Sequence, residues 1–321
     1  MLSSEKILQA IPDALDQFEV PGGLPRGKVR DFYILADGKR RSLITTDRLV
    51  VFDQLIGLVP YKGQVLNELS AWWFEHTRDI VPNHLISVPD PNVSIVRETT
   101  PIQLGIVVRG FITGTTPSSL WTRYVSGERE IYGIKFPDNL TKNQALPAPI
   151  VTATTKSTVG RDDRIPLHNV VENKYLSAED WERIQTIALA LFKRGQERAT
   201  KGDLILVDTK YEFGFDQETH ELLLIDEIHT PDSSRYWQAD SSAERVRSNA
   251  EPENFDREFV RLWYIQQGYD SSHKPQRISD DLVVSTSQRY QQVYEMITGN
   301  TFAPAPYPAQ SRIEASIAEF G

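Results

Sequence analysis

Residues 204–216, LILVDTKYEFGFD, set an acid, a base and an acid (Asp208, Lys210 and Glu212) at every second position of an otherwise apolar run. Side chains two apart on a strand share a face, so these three charges point one way and Val207, Thr209, Tyr211 and Phe213 the other. Such a strand has two solutions. It lies at the surface, where acids and bases cross-pair with a neighbour in water, or it is buried and its charged face lines a polar hollow. The next apolar run, ELLLIDEIHTPD, follows DQETH, a loop length suited to a hairpin. A hairpin centred on Glu218 sets Lys210 opposite Asp226 and Glu212 opposite Leu224, bringing Asp226 onto the charged face; a slip of one residue would turn it away. In that register Leu222 and Leu224 share the charged face, which is out of place in open solvent. The run then continues into a turn bearing Asp232, Ser233, Ser234 and Arg235, whose hydroxyls and guanidinium fork suit a phosphate or carboxylate. Glu212 and Asp226 supply hard oxygens of the kind that hold Mg²⁺ jointly with nucleotide phosphates.

Charge and composition narrow the partners. The 321 residues include 35 basic and 44 acidic side chains, a net charge of −9. That field repels polyanions and argues against nucleic acid or an anionic membrane, while leaving room for a local basic pocket. Cysteine is absent, which excludes disulfides, zinc thiolate sites and a cysteine nucleophile. The histidines show neither HxH nor HExxH spacing and no GxSxG occurs, which weighs against a catalytic zinc site and a serine hydrolase. The start, MLSSEKILQAIPDALDQ, lacks the basic-then-apolar pattern of a secretory signal, and the apolar run at 187–192 is too short to span a bilayer. The expectation is a cytoplasmic protein, working as a monomer.

Along the chain, residues 29–35 and 42–46 flank Asp37-Gly38 and read as a β-hairpin. VLNELSAWWFEHTRDI (65–80) has helical spacing, and strand-like runs follow at 86–88, 93–98 and 104–112. Residues 137–166 are rich in Pro and Thr and read as a long excursion. A helix begins at Ser177, with Asp180 completing a cap, and presents Trp181, Ile184, Ala188 and Leu191 before stopping at Gly202. Beyond 232 the chain reads as mostly helical, with the Pro-rich FAPAPYPAQ on the surface. Strands segregate from helices, which argues for an α+β fold rather than regular βαβ alternation.

Other segments carry candidate chemistry. LPRGKVRDFY places Gly27, Lys28 and Arg30 at the entry to the first hairpin, where a glycine lets backbone approach phosphates and the cations neutralise them; an exposed basic edge is the competing reading. Arg109 ends an apolar strand and leads into a Gly/Thr/Ser loop. Lys156 sits among hydroxyls in ATTKSTVGRDD.

Taken together, GKVRDFY, TTDRLVVFDQ, YKGQVLNELSAWWF, VVRGFITG, SSLW, LVDTKYEFGF and IDEIHTPDSSRYW occur in an order that resembles the SAICAR synthetase (phosphoribosylaminoimidazole-succinocarboxamide synthase) family. The resemblance implies a two-lobed α+β fold: a β-rich, kinase-like N-terminal lobe over residues 1–112, a larger α+β lobe over 113–321, and an ATP cleft between them. It implies a ligase that uses ATP and Mg²⁺ to activate the carboxylate of carboxyaminoimidazole ribotide as an acyl phosphate, which the amine of L-aspartate then attacks. Carried over to this sequence, Gly27, Lys28 and Arg30 meet ATP phosphates, and Glu212 and Asp226 hold the metal. Lys210 and Asp208 form the catalytic pair, with Lys210 at the transferred phosphoryl or ribotide carboxylate. Asp53, Arg109, Ser119, Lys156, Asp232 and Arg235 bind substrate, with Thr115 a rival to Ser119. Three departures stand out: PIQ at 101–103 in place of PIE, a longer GTTPSSLW loop, and TTKSTVGRDD in place of STKxExGxHD. A small-molecule kinase sharing the same cleft and a non-catalytic nucleotide-binding protein are the alternatives.

Overall fold

The computed structural model describes residues 1–19, 24–156, 163–269, 273–318 and 320. After α1 (Ser4–Ala10), capped by the Ser3 hydroxyl, the hairpin read from Asp37-Gly38 forms as β1 (Arg30–Ile34) and β2 (Arg40–Thr45), with Gly38 at φ +68° in its turn. A second hairpin, β3 (Arg48–Val51) and β4 (Gln54–Leu58), precedes α2 (Lys62–Glu75). β5 (Leu85–Asp90) and β6 (Val93–Arg97) then complete a four-stranded sheet in the order β1-β2-β6-β5.

The chain changes sheets at Glu98. β7 (Thr99–Pro101) and β8 (Leu104–Ile112) enter the larger sheet. α3 (Leu120–Val125) and the small hairpin β9 (Glu130–Ile131)/β10 (Ile134–Lys135) follow. The Pro-rich stretch expected to be a long excursion is instead built around a strand, β11 (Gln144–Thr155), paired with β8. Its pairing breaks between Ala145 and Ile150, where Pro147 and Pro149 have no N–H to give the ladder. The remaining elements are β12 (Arg164–Ile165), α4 (Leu167–Glu172), α5 (Ala178–Lys201), β13 (Leu204–Asp216), β14 (Leu222–Ile225), β15 (Ser234–Gln238), α6 (Ala239–Arg247), α7 (Arg257–Gln266), α8 (Asp280–Thr298) and α9 (Gln310–Ile317). The larger sheet runs β12-β11-β8-β13-β14, with β7 and β15 also paired to the long β13.

α5 starts where expected, with the Ser177 hydroxyl accepting from the Asp180 N–H. It packs Trp181, Ile184, Ala188 and Leu191 against the apolar side of the sheet, including Leu204, Leu206 and Val108. Each Ile, Leu or Val side chain among them, once buried, contributes about 1.5–3 kcal/mol of transfer free energy. Tyr211, Phe213, Leu222 and Leu224 belong to the same core, so Leu222 and Leu224 lie with the apolar face of β13 and not with its charges. The Pro-rich tail is also more than surface. Phe302 and Ala309 are buried, and the Tyr307 hydroxyl donates to Asp47 Oδ2 (2.6 Å) while accepting from the Tyr61 N–H (2.7 Å). α9 then inserts Ile313 and Ile317 among Leu35, Ile44 and Ile95 of the first sheet.

One ion pair ties α2 and α8 to the turn before β15. Lys62 is wholly buried and donates to Asp232 Oδ2 (2.8 Å), and Tyr290 of α8 donates to Oδ1 (2.6 Å). Burial alone would raise the Asp232 carboxyl, but Lys62 and Arg257 outweigh it and hold it down at about 2. Lys62→Met removes the nearer counter-ion of this buried carboxylate, leaving Arg257 at 3.9 Å, and is expected to lose about 3 kcal/mol of unfolding free energy in urea titration. Adding Asp232→Asn should return part of that loss; strictly additive effects would show that the pair does not interact.

Candidate active site

Pairing across the larger sheet lays the polar residues out in rows, because directly opposed residues share a face. Asp208 of β13 stands between Arg109 of β8 and Arg235 of β15, and Arg109 is in turn opposite Ile150 of β11. One step along, Lys210 stands opposite Val107, which faces Thr152. Further along, Gly105 faces Thr154, and Thr154 faces Arg164 of β12. Gly105 is needed here for space: a Cβ would come within 2.6 Å of Lys210 Cε and 3.0 Å of Thr154 Oγ1. The sequence alternation at 208, 210 and 212 therefore continues sideways through four more strands.

The charges on this face are paired with one another. Lys210 Nζ lies 2.9 Å from Glu212 Oε1 and Lys156 Nζ 2.5 Å from Oε2. Burial would raise Glu212, but the two lysines outweigh it and hold the carboxyl at about 2. Asp208 receives the Arg235 guanidinium, and Arg109 Nη1 lies 3.6 Å away. Arg109 Nε donates to Thr152 Oγ1 (3.1 Å).

The hairpin register differs by one residue from the expected one: Glu212 pairs with Ile225 and Phe213 with Leu224. By alternation alone that slip would turn Asp226 away from the charges. It does not, because β14 ends at Ile225 and Asp226 takes a left-handed conformation (φ +68°), which swings its carboxylate back into the cleft. There it meets Arg30 of the first sheet, whose Nη1 lies 2.8 Å from Asp226 Oδ1 and Nη2 3.1 Å from Glu227 Oε2. Burial, with repulsion from Glu212 and Glu227, raises Asp226 to about 6 against the pull of Arg30.

These groups line one cavity of about 1060 Å³ between the two sheets. Gly27, Lys28, Arg30 and Arg41 of the first hairpin cover one side; Lys210, Glu212, Asp226 and Arg109 form the other. Basic side chains outnumber acidic ones in its lining, in a chain whose net charge is −9. Lys28 Nζ pairs with Asp53 at 2.7 Å. Phe52 (φ +54°) and Asp53 (φ +59°) are the two central residues of the β3–β4 turn, positions usually held by Asn-Gly. The Phe52 ring rests on Tyr269, centroids 4.6 Å apart.

A side alcove of about 170 Å³ opens from the cavity, lined by Ser118, Ser119, Asp208, Ser233, Arg235, Arg257 and Arg261 among others. Buried Nε atoms of Arg235 and Arg261 have no hydrogen-bond partner there. The hydroxyls of the two rival residues are both engaged within the protein: Thr115 donates to Glu258 (2.6 Å), and Ser119 donates to the Thr116 carbonyl (2.7 Å). Asp232 lines both the cavity and the alcove while its carboxylate accepts from Lys62 and Tyr290, and it holds the turn that presents Ser233 and Arg235. Arg257, Arg261 and Ile265, one stripe of α7, line the cavity and escaped notice in the sequence, as did Glu227. Their signal was present: two arginines four apart in a helix whose Val260 and Tyr264 are core residues. Residues 157–162 of the Lys156 segment lie outside the described residues.

The fold and this cleft define a two-lobed α+β enzyme with a basic cleft between its first hairpin and the charged face of the larger sheet. The family model described as SAICAR synthetase matches residues 23–278. A phosphoribosylaminoimidazole-succinocarboxamide synthase of Legionella pneumophila (strain Lens) is 48% identical over 308 residues, covering 94% of this chain and 97% of the relative. The chloroplastic enzyme of that name from Arabidopsis thaliana is 42% identical, covering 99% of this chain and 75% of the relative. The structure of SAICAR-synthase from Saccharomyces cerevisiae complexed with SAICAR superimposes with a TM-score of 0.77 at 29% identity, covering 90% of this chain and 100% of that one. The chain belongs to the SAICAR synthetase family. It is an ATP-dependent ligase of aspartate in purine biosynthesis, and the kinase and non-catalytic alternatives are not favoured.

Asp226 gives the cleft a pH signature. A free aspartate titrates near about 3.9, and Asp226 in the fold at about 6. A raised carboxyl pKa means that this group's stabilising contribution is complete below about pH 4 and is lost as pH rises through about 6. Asp226→Asn should therefore melt at a higher temperature than the wild type near neutral pH. With the side chain a third exposed, screening holds the gain to about 1 kcal/mol. The gap should close between about pH 6 and pH 4; a gap constant with pH would reject the assignment.

Proposed function

We propose that the cleft joins L-aspartate to carboxyaminoimidazole ribotide through an acyl phosphate, with the residues of the β13 face as its working surface. The observation that carries this reading is the convergence of Lys210, Glu212 and Asp226 on one cavity beneath Gly27, Lys28 and Arg30. A carboxylate is a poor acyl donor until one oxygen becomes a leaving group. Transfer of the terminal phosphoryl of ATP supplies that group, and the aspartate amine then forms the C–N bond as phosphate departs. Most of the work is positioning and charge stabilisation around the transferred phosphoryl.

Arg30, Lys28 and the backbone at Gly27 face the nucleotide phosphates in this reading. Lys210 lies at the transferred phosphoryl, with Lys156 across Glu212 from it. The alcove, with Ser118, Ser233, Arg235 and Arg261, takes the ribotide phosphate: its buried Nε–H groups without acceptors suit an anion. Asp208 fixes Arg109 and Arg235, and Asp53 stands at the cleft mouth toward the ribotide. Among the described residues no group of three or more His, Cys, Asp or Glu side chains is placed to hold a metal by itself. Two hard carboxylates, Glu212 and Asp226, fit Mg²⁺ shared with phosphates, where the cation neutralises charge on the triphosphate. The nucleotide-covering lobe then ends near Glu98, where the chain changes sheets, rather than after residue 112. Among the described residues no helix is long and apolar enough to cross a membrane. A cytoplasmic enzyme working as a monomer completes the reading.

The test is ADP release that requires both ribotide and L-aspartate. Glu212→Ala is expected to lower turnover about a hundredfold with the fold intact; near-normal turnover at low Mg²⁺ would reject its role. Arg235→Lys exchanges a fork for a point charge and should raise the ribotide KM more than the ATP KM; equal effects on both would reject the phosphate assignment.

A further inference from the structure

We propose that Arg123 of α3 and Arg164 of β12 form the subsite for the carboxylates of L-aspartate. The proposal rests on the ligase reading above and adds to it the residues that grip the amino acid. Both guanidinium groups line the cavity. They converge on a single carboxylate, that of Glu128: Arg123 Nη1 lies 3.1 Å from Oε1 and Arg164 Nη1 3.0 Å from Oε2. One fork to each oxygen is the arrangement that binds a carboxylate, and Glu128 shows that the two arginines are set for it. Arg123 also keeps a buried Nε–H with no acceptor, a donor that a ligand carboxylate would satisfy.

The position agrees with the chemistry. Arg164 is in register with Thr154, Thr154 with Gly105, and Lys210 lies over Gly105. Arg164 and Lys210 thus sit on the same face, three strand spacings apart, or roughly 14 Å between backbones. An extended arginine on one side and a lysine on the other leave between them a gap for a short dicarboxylate whose amine must reach the acyl carbon near Lys210. Arg164 is also held in place by Tyr132, whose ring centre lies 5.9 Å from its guanidinium carbon and 5.5 Å from that of Arg109. In the ligase reading the hairpin cations serve the triphosphate, the alcove arginines the ribotide phosphate and Lys210 the transferred phosphoryl, while this pair has no other anion assigned to it.

The experiment is steady-state kinetics of the full chain, following ADP with each substrate varied in turn, for the wild type, Arg123→Met, Arg164→Met and Arg164→Lys. Loss of a charged hydrogen-bonding fork should raise the L-aspartate KM about tenfold or more in each Met variant. The ATP and ribotide KM values should stay within about twofold, with Arg164→Lys intermediate. A rise in the ribotide KM instead, or no change in any KM, overturns the subsite. Should a Met variant fail to fold, Glu128→Gln decides: relieving the internal competitor should lower the L-aspartate KM, and an unchanged or higher value overturns the proposal. Wild-type ADP release that ignores aspartate would overturn the ligase reading and the subsite together. Aspartate-dependent wild type with unaltered variants overturns the subsite alone.

Discussion

Glu212 divides its carboxylate between Lys210 and Lys156, one oxygen to each, and much of the molecule follows from keeping that triad intact on a strand whose other face is core. Withdrawing an ion from water costs several kcal/mol even after relaxation, and mutual attraction offsets this only with good geometry. The partners come from different places. Lys210 is on the same strand, whereas Lys156 follows β11, two strands away, so the triad exists only if β8 lies between β11 and β13. Gly105 on that intervening strand leaves the space through which Lys210 passes. Asp208 repeats the logic with Arg109 and Arg235, contributed by the strands on either side of it. Strand order and charge neutralisation are thus one constraint.

The same pairing explains how a chain of net charge −9 presents a basic cleft. Carboxylates at the cleft pair with its cations: Asp226 and Glu227 hold Arg30, Glu212 holds two lysines, Glu128 holds Arg123 and Arg164. In the proposed reading, binding exchanges one anion for another on these donors, with most of the desolvation of the cations already met by folding. Such an exchange favours selectivity over raw affinity, because a ligand must match donor geometry better than the internal carboxylate it replaces.

The periodic parts of this arrangement were legible in the sequence. Alternation at 208, 210 and 212 showed which side chains share a face, the Ser177–Gly202 helix was bounded by its caps, and Asp37-Gly38 marked the first turn. What escaped was set by tertiary context. The β13–β14 register slipped by one, and only a left-handed residue after the strand returned Asp226 to the cleft; single-residue φ values of non-glycine residues leave no pattern to read. β11 hid behind Pro147 and Pro149, which lie in the part of the strand where pairing fails. The buried lysine that pairs with Asp232 lies far away in sequence and left no local signal. Arg257 and Arg261 looked like any solvated helix face until the sheet closed opposite them.

Backbone strain is present on both walls of the cleft. Asp226 ends β14 in a left-handed conformation on one side, and Phe52 and Asp53 take the same conformation in succession on the other. Each such residue costs on the order of 1–3 kcal/mol and persists only where its surroundings over-determine it. Those surroundings are identifiable: Arg30 for Asp226, Lys28 for Asp53, and the rings of Tyr264 and Tyr269 for Phe52. Two of the three contacts are ion pairs to Arg30 and Lys28, both on the segment that covers the cavity. The charges of the covering segment and the left-handed backbone at residues 53 and 226 are thus joined contact by contact.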